Sequence, residues 1–475
     1  MSVIQYFISI FAAINQINIS MIKKVLTLTV MAFFASATTF AGGLMTNTNY
    51  HIAFDRMMAR GATFDIDAAY SNPAGMAWAK EGWQLSLNFQ KPWQNRDIKL
   101  GDTKYEGVAS APIVPALFAA YKKDKWAISS MIGIVGSGGF VKYDNGVPEY
   151  NVKITTLLNS VIPQFNKLPG FASISEQNTI DSEMKGKQYI YGGQFNFTYK
   201  LLDCLSAAVG MRANYYDGYF RGHVIANESG QYGQLARMLL DVDQKGWGVT
   251  PMISVNYHHG PLTLTARYEF RTKISTKNET NVLDAGLGDI LIAKVAAVPV
   301  YGPLTLESLN EKLTPTLSNL RAPFEDGART RYDMPALLSV AAGYEFTPKL
   351  RATLEYHFFD DKNAKMANDR QNELTHGTHE FLAGVEYDIN DKFTVSCGGQ
   401  RTDYGLSDGY QQNTSFACDS YSIGLGGAWN INEKVRLNAG YFITIYSDYE
   451  KKASYGTETY SRSNNVIGLG IDYRF

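Results

Sequence analysis

Apolar and polar residues alternate along most of this chain in runs of about ten. The run 262–270, Leu-Thr-Leu-Thr-Ala-Arg-Tyr-Glu-Phe, separates five apolar side chains from four polar ones when alternate positions are grouped. Because successive side chains of a strand point to opposite faces, each run predicts a strand with one apolar and one polar face. The final strand ends on Phe475. The fourteen predicted strands are 82–94, 113–121, 126–136, 188–200, 205–221, 246–258, 262–274, 333–346, 350–360, 379–388, 393–403, 418–429, 435–447 and 464–475.

Short and long connections between these strands alternate without exception. The short ones are 122–125, 201–204, 259–261, 347–349, 389–392 and 430–434, and the longest of the others are 137–187 and 275–331. This alternation is typical of an antiparallel up-and-down barrel with short periplasmic turns and long outer loops, whereas a Greek-key sandwich has no such parity. The predicted fold class is therefore all-β, a transmembrane antiparallel β-barrel of about fourteen strands in the outer membrane of a double-membraned bacterium. An even strand number puts both ends of the barrel on the periplasmic side.

The first 41 residues predict a secretory signal peptide. Lys23 and Lys24 follow Met21, an apolar run extends from Val25 to about Ala37, and small residues precede Gly42. This three-part layout is that of a cleaved signal, with Met21 as the expected true start and Gly42 as the first mature residue. The alternative is a membrane anchor that stays on the protein.

Composition excludes several classes of protein. Charged residues make up 19%, the mean hydropathy is −0.19, and no run of about 18 apolar residues follows the signal, which excludes a helical membrane protein. The content of 42 Gly, 30 Tyr and 25 Phe fits the aromatic girdles of a barrel. A net charge of −1 without long basic runs argues against a nucleic-acid partner. Of the three cysteines, at most Cys397 and Cys418 could pair, if their strands are neighbours.

The segment 42–81 does not alternate and precedes the barrel, which we assign to 82–475. A short helix is predicted within 51–60, followed by a stretch rich in small residues. A barrel of fourteen strands leaves a lumen that holds either water or a plug. We therefore predict that 42–81 folds back into the lumen as a plug, which we call the hatch.

At this point the sequence resembles the FadL family of outer-membrane transporters for long-chain fatty acids and other hydrophobic compounds. The resemblance rests on Arg56 with Gly61-Ala62, on Asp65 and Asp67, on Asn72-Pro73-Ala74, and on 334–350 in the second half. It implies that Asn72, Pro73 and Ala74 belong to the hatch. It also implies passive uptake without a cofactor: capture of a hydrophobic molecule by outer loops, a pocket in the barrel, and sideways release into outer-membrane lipid where the third strand kinks.

Glycines in the third strand are the candidates for that kink: Gly133, Gly136, Gly138 and Gly139. Glycine weakens a strand and permits bends or bulges, although the strand could equally fade into a loop here. The candidates for capture are apolar residues of the two longest loops, which could also simply pack on each other and seal the mouth. They are Leu157, Leu158, Ile162 and Phe165 in the first loop and Leu291, Ile292 and Val295 in the second.

Strand parity predicts five arginines in the lumen: Arg212, Arg267, Arg351, Arg401 and Arg436. Most are expected to pair with lumenal carboxylates such as Glu269 or Glu355, and none is singled out as a ligand clamp. The sequence His376-Gly-Thr-His379-Glu380 does not have the spacing of a zinc-protease helix, so no metal and no catalytic residue is predicted.

The expected partners are a hydrophobic small molecule, outer-membrane lipid, and the barrel assembly machinery, which would bind the final strand ending at Phe475. We expect a monomer. A general diffusion porin is the alternative, although a porin would lack a plug of this size. An outer-membrane lipase or protease is a more distant alternative.

Overall fold

The computed structural model describes residues 50–111, 113–166, 173–175, 178–230, 233–289 and 324–475. Fourteen of its strands form the barrel wall, and we number these β1 to β14. They are β1 (Gly82–Leu100), β2 (Val114–Lys123), β3 (Trp126–Tyr143), β4 (Asn178–Leu202), β5 (Leu205–Glu228), β6 (Gln234–His259), β7 (Leu262–Glu269), β8 (Leu337–Thr347), β9 (Leu350–Phe359), β10 (Thr378–Asp388), β11 (Phe393–Asp403), β12 (Ser420–Asn430), β13 (Val435–Tyr446) and β14 (Gly456–Arg474). Shorter strands extend the wall at Thr103–Tyr105, Gly107–Ser110, Ser275–Leu287, Arg329–Arg331 and Tyr449–Ala453.

Each wall strand pairs antiparallel with the next, and β14 returns to pair with β1 from Gln84↔Arg474 to Leu100↔Glu458. Trp83 and Phe475 exchange two backbone hydrogen bonds of 3.0 Å at this seam. Closure leaves no unpaired edge, as a sheet in lipid requires. The predicted closed barrel of fourteen strands is confirmed. The six short turns lie at the end of the barrel that carries Phe475, which we call the turn rim; the opposite end is the loop rim.

The two faces of the wall have the predicted polarity. Ile467, Leu469 and Ile471 of β14 are 48%, 64% and 42% exposed on the outside, while Asp472 is buried on the inside. Aromatic pairs such as Trp83–Tyr121 and Phe393–Trp429 lie on the outer surface near the turn rim, as expected for a membrane interface. In the part of the chain that the structure describes, no helix is long and apolar enough to cross a membrane.

Several strands reach further toward the loop rim than the sequence predicted. β3 continues to Tyr143, β4 begins at Asn178 instead of 188, and β6 begins at Gln234 instead of 246. The second long connection also starts as a strand, Ser275–Leu287, which pairs with β6. The predicted loops 137–187 and 275–331 are therefore too long. Beyond the membrane neither face of a strand must be apolar, so the alternation weakens while backbone pairing continues.

A helix and a hydrophobic cluster close the loop rim. The helix Pro148–Phe165 buries Ile154, Leu158 and Ile162 against side chains of the extended strands such as Phe220. The cysteines do not pair: Cys397 lies exposed on β11 and Cys418 is buried before β12.

Candidate transport site

Residues 50–79 are bonded to inward-facing side chains of the wall strands. They form helix α1 (Ile52–Arg56), helix α2 (Ala68–Ser71) and a 3₁₀ helix (Pro73–Trp78), and most of their side chains are buried. Their hydrogen bonds go to inward-facing side chains of strands on every side of the wall, from Asn88 on β1 to Asp472 on β14. These contacts attach the segment to the inner face of the wall; its role as a plug stays a prediction.

The Asn72-Pro73-Ala74 element is bonded to three wall strands. Asn72 caps the 3₁₀ helix by accepting the Gly75 amide at 3.1 Å, and its own amide donates to Asn256 of β6 at 2.8 Å. The Pro73 carbonyl accepts from Thr198 of β4 at 2.7 Å, and the Ala74 carbonyl accepts from Ser206 of β5 at 2.6 Å. Proline suits the first position of such a helix because its missing N–H would have no partner there.

Arg56 and Gly61 attach the hatch to the opposite part of the wall. Arg56 is fully buried, forms an ion pair with Glu386 of β10 and donates to Ser396 of β11 at 2.7 Å. The Gly61 amide donates to Glu355 of β9 at 2.7 Å. A Cβ at Gly61 would lie 2.6 Å from the Ala341 Cβ, so only glycine allows this close approach.

A buried chain of hydrogen bonds joins this Gly61 contact to the interior above the hatch. His357 bonds Glu355 through Nε2 at 2.6 Å and Glu380 through Nδ1 at 2.8 Å. Glu380 in turn accepts from Gln400 at 2.7 Å. Buried carboxylates are stable when bonded in this way on both oxygens, so the network holds the hatch and the wall in one arrangement.

A cavity of about 180 Å³ lies between the hatch and the loop rim. Its floor is hatch residues: Tyr50, Phe54, Asp55 and Met58. Its wall combines apolar and polar side chains from the strands β1 to β4 and from the region of β11 to β14. These wall residues include Pro92, Gln94, Arg96, Ile134, Phe140, Tyr189, Gln400, Thr402, Tyr404, Phe442, Thr444, Tyr446, Arg462 and Val466. Polar side chains make up a large share of this lining, so the cavity suits an amphipathic molecule better than a wholly apolar one.

Two arginines of this cavity stand opposite each other across the closing seam. Arg96 of β1 and Arg462 of β14 are directly paired in register. Arg96 is buried, donates to the Phe416 carbonyl at 2.6 Å and lies 4.8 Å above the Phe416 ring, while Arg462 lies 4.6 Å above the Tyr446 ring. Like charges directly opposite in a sheet repel, and a bound anion would relieve that repulsion.

These two arginines were missed in the sequence because β1 was predicted to end at 94 and β14 to begin at 464. The available signal was the alternation of 95–100 and 456–463, which is weaker since both faces there are polar.

The backbone ladder between β2 and β3 is interrupted beside the cavity. Among the described residues, their pairing ends at Leu117↔Ile132, and the next pair of β3 on that side is Val108↔Lys142. The cavity reaches this interruption, since Ala111, Val114 and Gly136 line it. This interval of the wall therefore lacks a continuous backbone ladder in the part of the chain that the structure describes.

The predicted glycines lie in this interval of β3. On its other side β3 pairs with β4, and the register shifts between Ile134 and Gly136 and again between Ser137 and Gly139, so that residue 135 and Gly138 are bulged. Gly139 has φ +74°, a conformation that other residues rarely adopt, and Gly133 precedes the first bulge. β3 is thus irregular at the glycines for which a kink was predicted. The role of this irregularity in transport stays a prediction.

Two of the seven predicted capture residues are described with their side chains, and both are buried. Leu158 and Ile162 are 3% exposed within the cluster that closes the loop rim, which is the packing role considered as the alternative. Leu157 and Phe165 belong to the same helix, but their side chains lie outside the described part of the structure, as do Leu291, Ile292 and Val295 altogether.

Four of the five predicted lumenal arginines face the interior, and the fifth does not. Arg212 pairs with Glu269, Arg267 lies 3.5 Å from Glu269, Arg351 pairs with Glu386, and Arg436 lies 3.5 Å from Asp65 of the hatch. The prediction for Arg401 is wrong: its neighbours Gln400 and Thr402 point inward, and Arg401 is exposed on the outer face beside Tyr421. If the alternation of β11 is counted one residue out of step, every side chain of the strand is assigned to the wrong face of the wall.

Comparison with known proteins agrees with this architecture. A family model described as an outer membrane protein beta-barrel domain matches residues 312–475, and no curated protein sequence matches the chain. The crystal structure of a Pseudomonas aeruginosa FadL homologue superposes with a TM-score of 0.64 at 16% identity, covering 91% of this chain and 100% of the homologue. The chain has the FadL fold. This outcome agrees with the resemblance drawn from the hatch residues and the second-half hairpin.

Two toluene transporters have the same FadL fold. The Pseudomonas putida transporter TodX superposes with a TM-score of 0.56 at 13% identity, covering 92% of this chain and 100% of TodX. The Ralstonia pickettii transporter TbuX gives 0.51 at 13% identity, covering 86% of this chain and 94% of TbuX. The apolar outer face of the barrel suits the lipid of the outer membrane, and the matched family model also indicates an outer-membrane protein.

Proposed function

We propose that this protein takes up hydrophobic molecules passively across the outer membrane, and that its preferred substrates are amphipathic acids such as long-chain fatty acids. The observation that carries the proposal is the cavity above the hatch, which holds two arginines and extends to the interruption of the wall between β2 and β3. The names of the FadL homologue and the toluene transporters support the hydrophobic class of substrate.

The cavity supports an orientation for the substrate. Arg96 and Arg462 would bind a carboxylate by charge-assisted hydrogen bonds, which are the strong class of hydrogen bond. Phe54, Met58 and Phe442 would contact the hydrocarbon chain, because they supply apolar surface between the arginines and the hatch. Uptake in this account needs no chemistry and no energy source.

Release would occur sideways into lipid. Returning a hydrocarbon chain to water costs about 0.8 kcal/mol per methylene group, so an exit into the bilayer avoids a barrier that an aqueous pore would impose. The bulges of β3 and the missing pairs beside β2 support an exit between these two strands. Entry from outside would require the buried cluster around Leu158 to open, since that cluster covers the loop rim.

A general diffusion porin is less well supported. The hatch is bonded to strands all around the wall, and its polar groups meet buried partners such as Glu386 and Asn256. Packing of this kind would obstruct the water-filled pore that a diffusion porin needs. The fold-level relatives are transporters and channels, and this favours transport over lipase or protease activity.

Binding and uptake of labelled palmitate test the proposal, with hexadecanol as a neutral analogue and a disaccharide as a polar solute. We expect wild-type protein to take up palmitate and exclude the sugar. In the double variant Arg96→Gln with Arg462→Gln, palmitate affinity should fall roughly 10–100-fold, since a hydrogen bond to a charged group contributes about 1.5–3 kcal/mol. Hexadecanol binding should change little.

The matched control is Arg221→Gln, which removes an exposed arginine that pairs with Asp241 and Asp243 and does not line the cavity. Equal loss of palmitate affinity in the control and the double variant would reject the carboxylate site while leaving hydrophobic uptake intact. If wild-type protein bound neither palmitate nor hexadecanol, the transport function itself would be rejected. Passage of the sugar would instead favour the porin.

A further inference from the structure

The outer surface of the barrel carries two cations where strand β7 ends. In β7 the odd-numbered residues Arg267 and Glu269 are buried, but beyond it the even-numbered Thr272 and Ile274 are buried. Parity therefore reverses at residues 270 and 271, which are both exposed, as in a bulge. Without this reversal Arg271 and Lys273 would face the lumen; with it, both side chains are exposed on the outside.

Backbone pairing is sparse beside these cations. The ladder between β6 and β7 ends at Met252↔Glu269, after which the Phe270 amide still donates to the Pro251 carbonyl at 3.0 Å. Among the described residues, the next ladder of β6 on this side begins at Lys245↔Lys277. A groove of about 540 Å³ occupies the gap and is lined by Val249, Pro251, Phe270, Arg271 and Lys273. Its apolar part is exposed, since Val249 is 51% and Phe270 44% accessible.

The groove lies at the level of the outer membrane interface. Nine residues separate the turn at Gly260–Pro261 from Phe270 inclusive, which at about 3.3 Å per residue and a tilt near 40° gives roughly 23 Å. The apolar band of such barrels is about 25 Å tall. The exposed aromatic residues Trp247, Tyr268 and Phe270 mark the same level. The two cations thus stand where lipid headgroups meet the protein.

The two positive charges of the groove would attract an anion. Among the residues that the structure describes, no carboxylate oxygen lies within 4.0 Å of Arg271 or Lys273, whereas Lys245 nearby is paired with Glu279 at 2.6 Å. Arg271 donates to the Asn363 carbonyl, which fixes its position. Two neighbouring cations above an apolar groove complement a phosphate joined to acyl chains.

We propose that Arg271 and Lys273 bind the phosphate of an anionic lipid of the outer leaflet, with an acyl chain lying against Val249, Pro251 and Phe270. The site is on the outside of the barrel and is separate from the transport cavity. It does not depend on the proposed transport function. The lipid would lie in the surface groove between β6 and the end of β7, where the backbone ladder of the wall is sparse.

The test is lipid binding to the full protein in neutral detergent, measured with fluorescent dioleoylphosphatidic acid and with dioleoylglycerol, which has the same chains and no phosphate. We expect wild-type protein to prefer the phosphorylated lipid. Each cation at a membrane surface contributes about a fivefold factor, so Arg271→Gln with Lys273→Gln should weaken phosphatidic acid binding roughly 25-fold. Dioleoylglycerol binding should not change.

Two further variants separate the site from general charge and folding effects. Lys104→Gln with Lys245→Gln removes the same number of positive charges from residues that already have carboxylate partners, and it should retain binding. Arg271→Lys with Lys273→Arg keeps the charges and should also bind. Equal binding of both lipids to wild-type protein, or equal loss in the Lys104/Lys245 control, would overturn the proposal. Displacement of the lipid by millimolar inorganic phosphate would show a free-anion site and would overturn it as well.

Discussion

The two halves of the barrel wall are built differently. Strands β8 to β13 are 10 to 12 residues long, and β10 to β13 pair without any register shift. Strands β3 to β6 are 18 to 26 residues long and include the bulges of β3 and the interruptions beside β2 and β7. The regular half spans the membrane and little more, whereas the irregular half contains both interruptions of the backbone ladder.

The hatch meets these halves with different chemistry. Toward the regular half it is held by charged groups, Arg56 to Glu386 and the Gly61 amide to Glu355. Toward the irregular half it is held by neutral hydrogen bonds to Thr198, Ser206 and Asn256. Buried ion pairs tolerate little displacement because an unpaired charge is costly, so we infer that the regular half anchors the hatch while the irregular half can move.

The largest expected effect comes from removing the anchored segment. Deletion of 44–76 removes nearly all hatch contacts with both halves and should raise sugar permeability of proteoliposomes more than about tenfold, since an emptied barrel of this width is an aqueous channel. Heat-resistant migration in detergent gels checks that the barrel still closes. Unchanged permeability of a folded deletion variant would mean that residues other than the hatch block the lumen.

A smaller effect is expected from filling the opening of the irregular half. Gly136→Phe places an aromatic ring where the cavity meets the interruption between β2 and β3, and it should reduce palmitate uptake about tenfold while palmitate binding persists, because release and not affinity is obstructed. The control is Gly193→Phe on the adjacent strand β4, where a side chain would meet open space on the outer face. Equal uptake by the two variants would remove the opening from the transport route.

The smallest effect concerns a connection of the regular half. Asp361 lies in the 3₁₀ helix Asp361–Asn363 beyond β9 and accepts the Thr378 amide at 2.9 Å. Burial raises the pKa of Asp361 to about 7. The neutral form is therefore favoured when this connection is docked, so docking is strongest below the ordinary pKa of an aspartate, weakens as the pH rises, and is constant above about pH 7.

Hydrogen exchange of the Thr378 amide measures this dependence after correction for the intrinsic rate. Protection should fall roughly tenfold or more between pH 5 and pH 8. Asp361→Asn, which keeps an acceptor for the same amide, should show no such fall. A pH dependence that survives in Asp361→Asn would assign it to another group.

The same difference between the two halves determined which strand bounds could be predicted from the sequence. For β9 to β13 the sequence-based bounds agree with the structure to within two residues, because lipid on one face and the lumen on the other enforce strict alternation. For β4 and β6 they fail by ten and twelve residues, since beyond the membrane nothing requires one face to be apolar. The number of strands was still predicted correctly because the short turns were recognisable in the sequence.

The site was predictable only in part, for related reasons. Arg56, Gly61 and Asn72 could be found because they belong to a motif that resembles a known family. Arg96 and Arg462 could not, since their pairing depends on the register of two strands that are 366 positions apart in the chain, a quantity that alternation within one strand does not contain. Arg401 was assigned to the wrong face, and the reversal at Arg271 was invisible, because a one-residue shift inverts parity without altering composition.

The central claim is that substrate passes from the cavity through the interruption between β2 and β3. Photolabelling tests it most directly, using palmitate with a diazirine at the end of its chain and mapping the labelled peptides by mass spectrometry. We predict that label concentrates on 107–116 and 133–141, with Val114 and Phe140 among the labelled residues, and that Gly136→Phe shifts it to the cavity floor at Phe54 and Met58. Label confined to the hatch and the turn rim in wild-type protein would show passage along the barrel axis and would contradict the account.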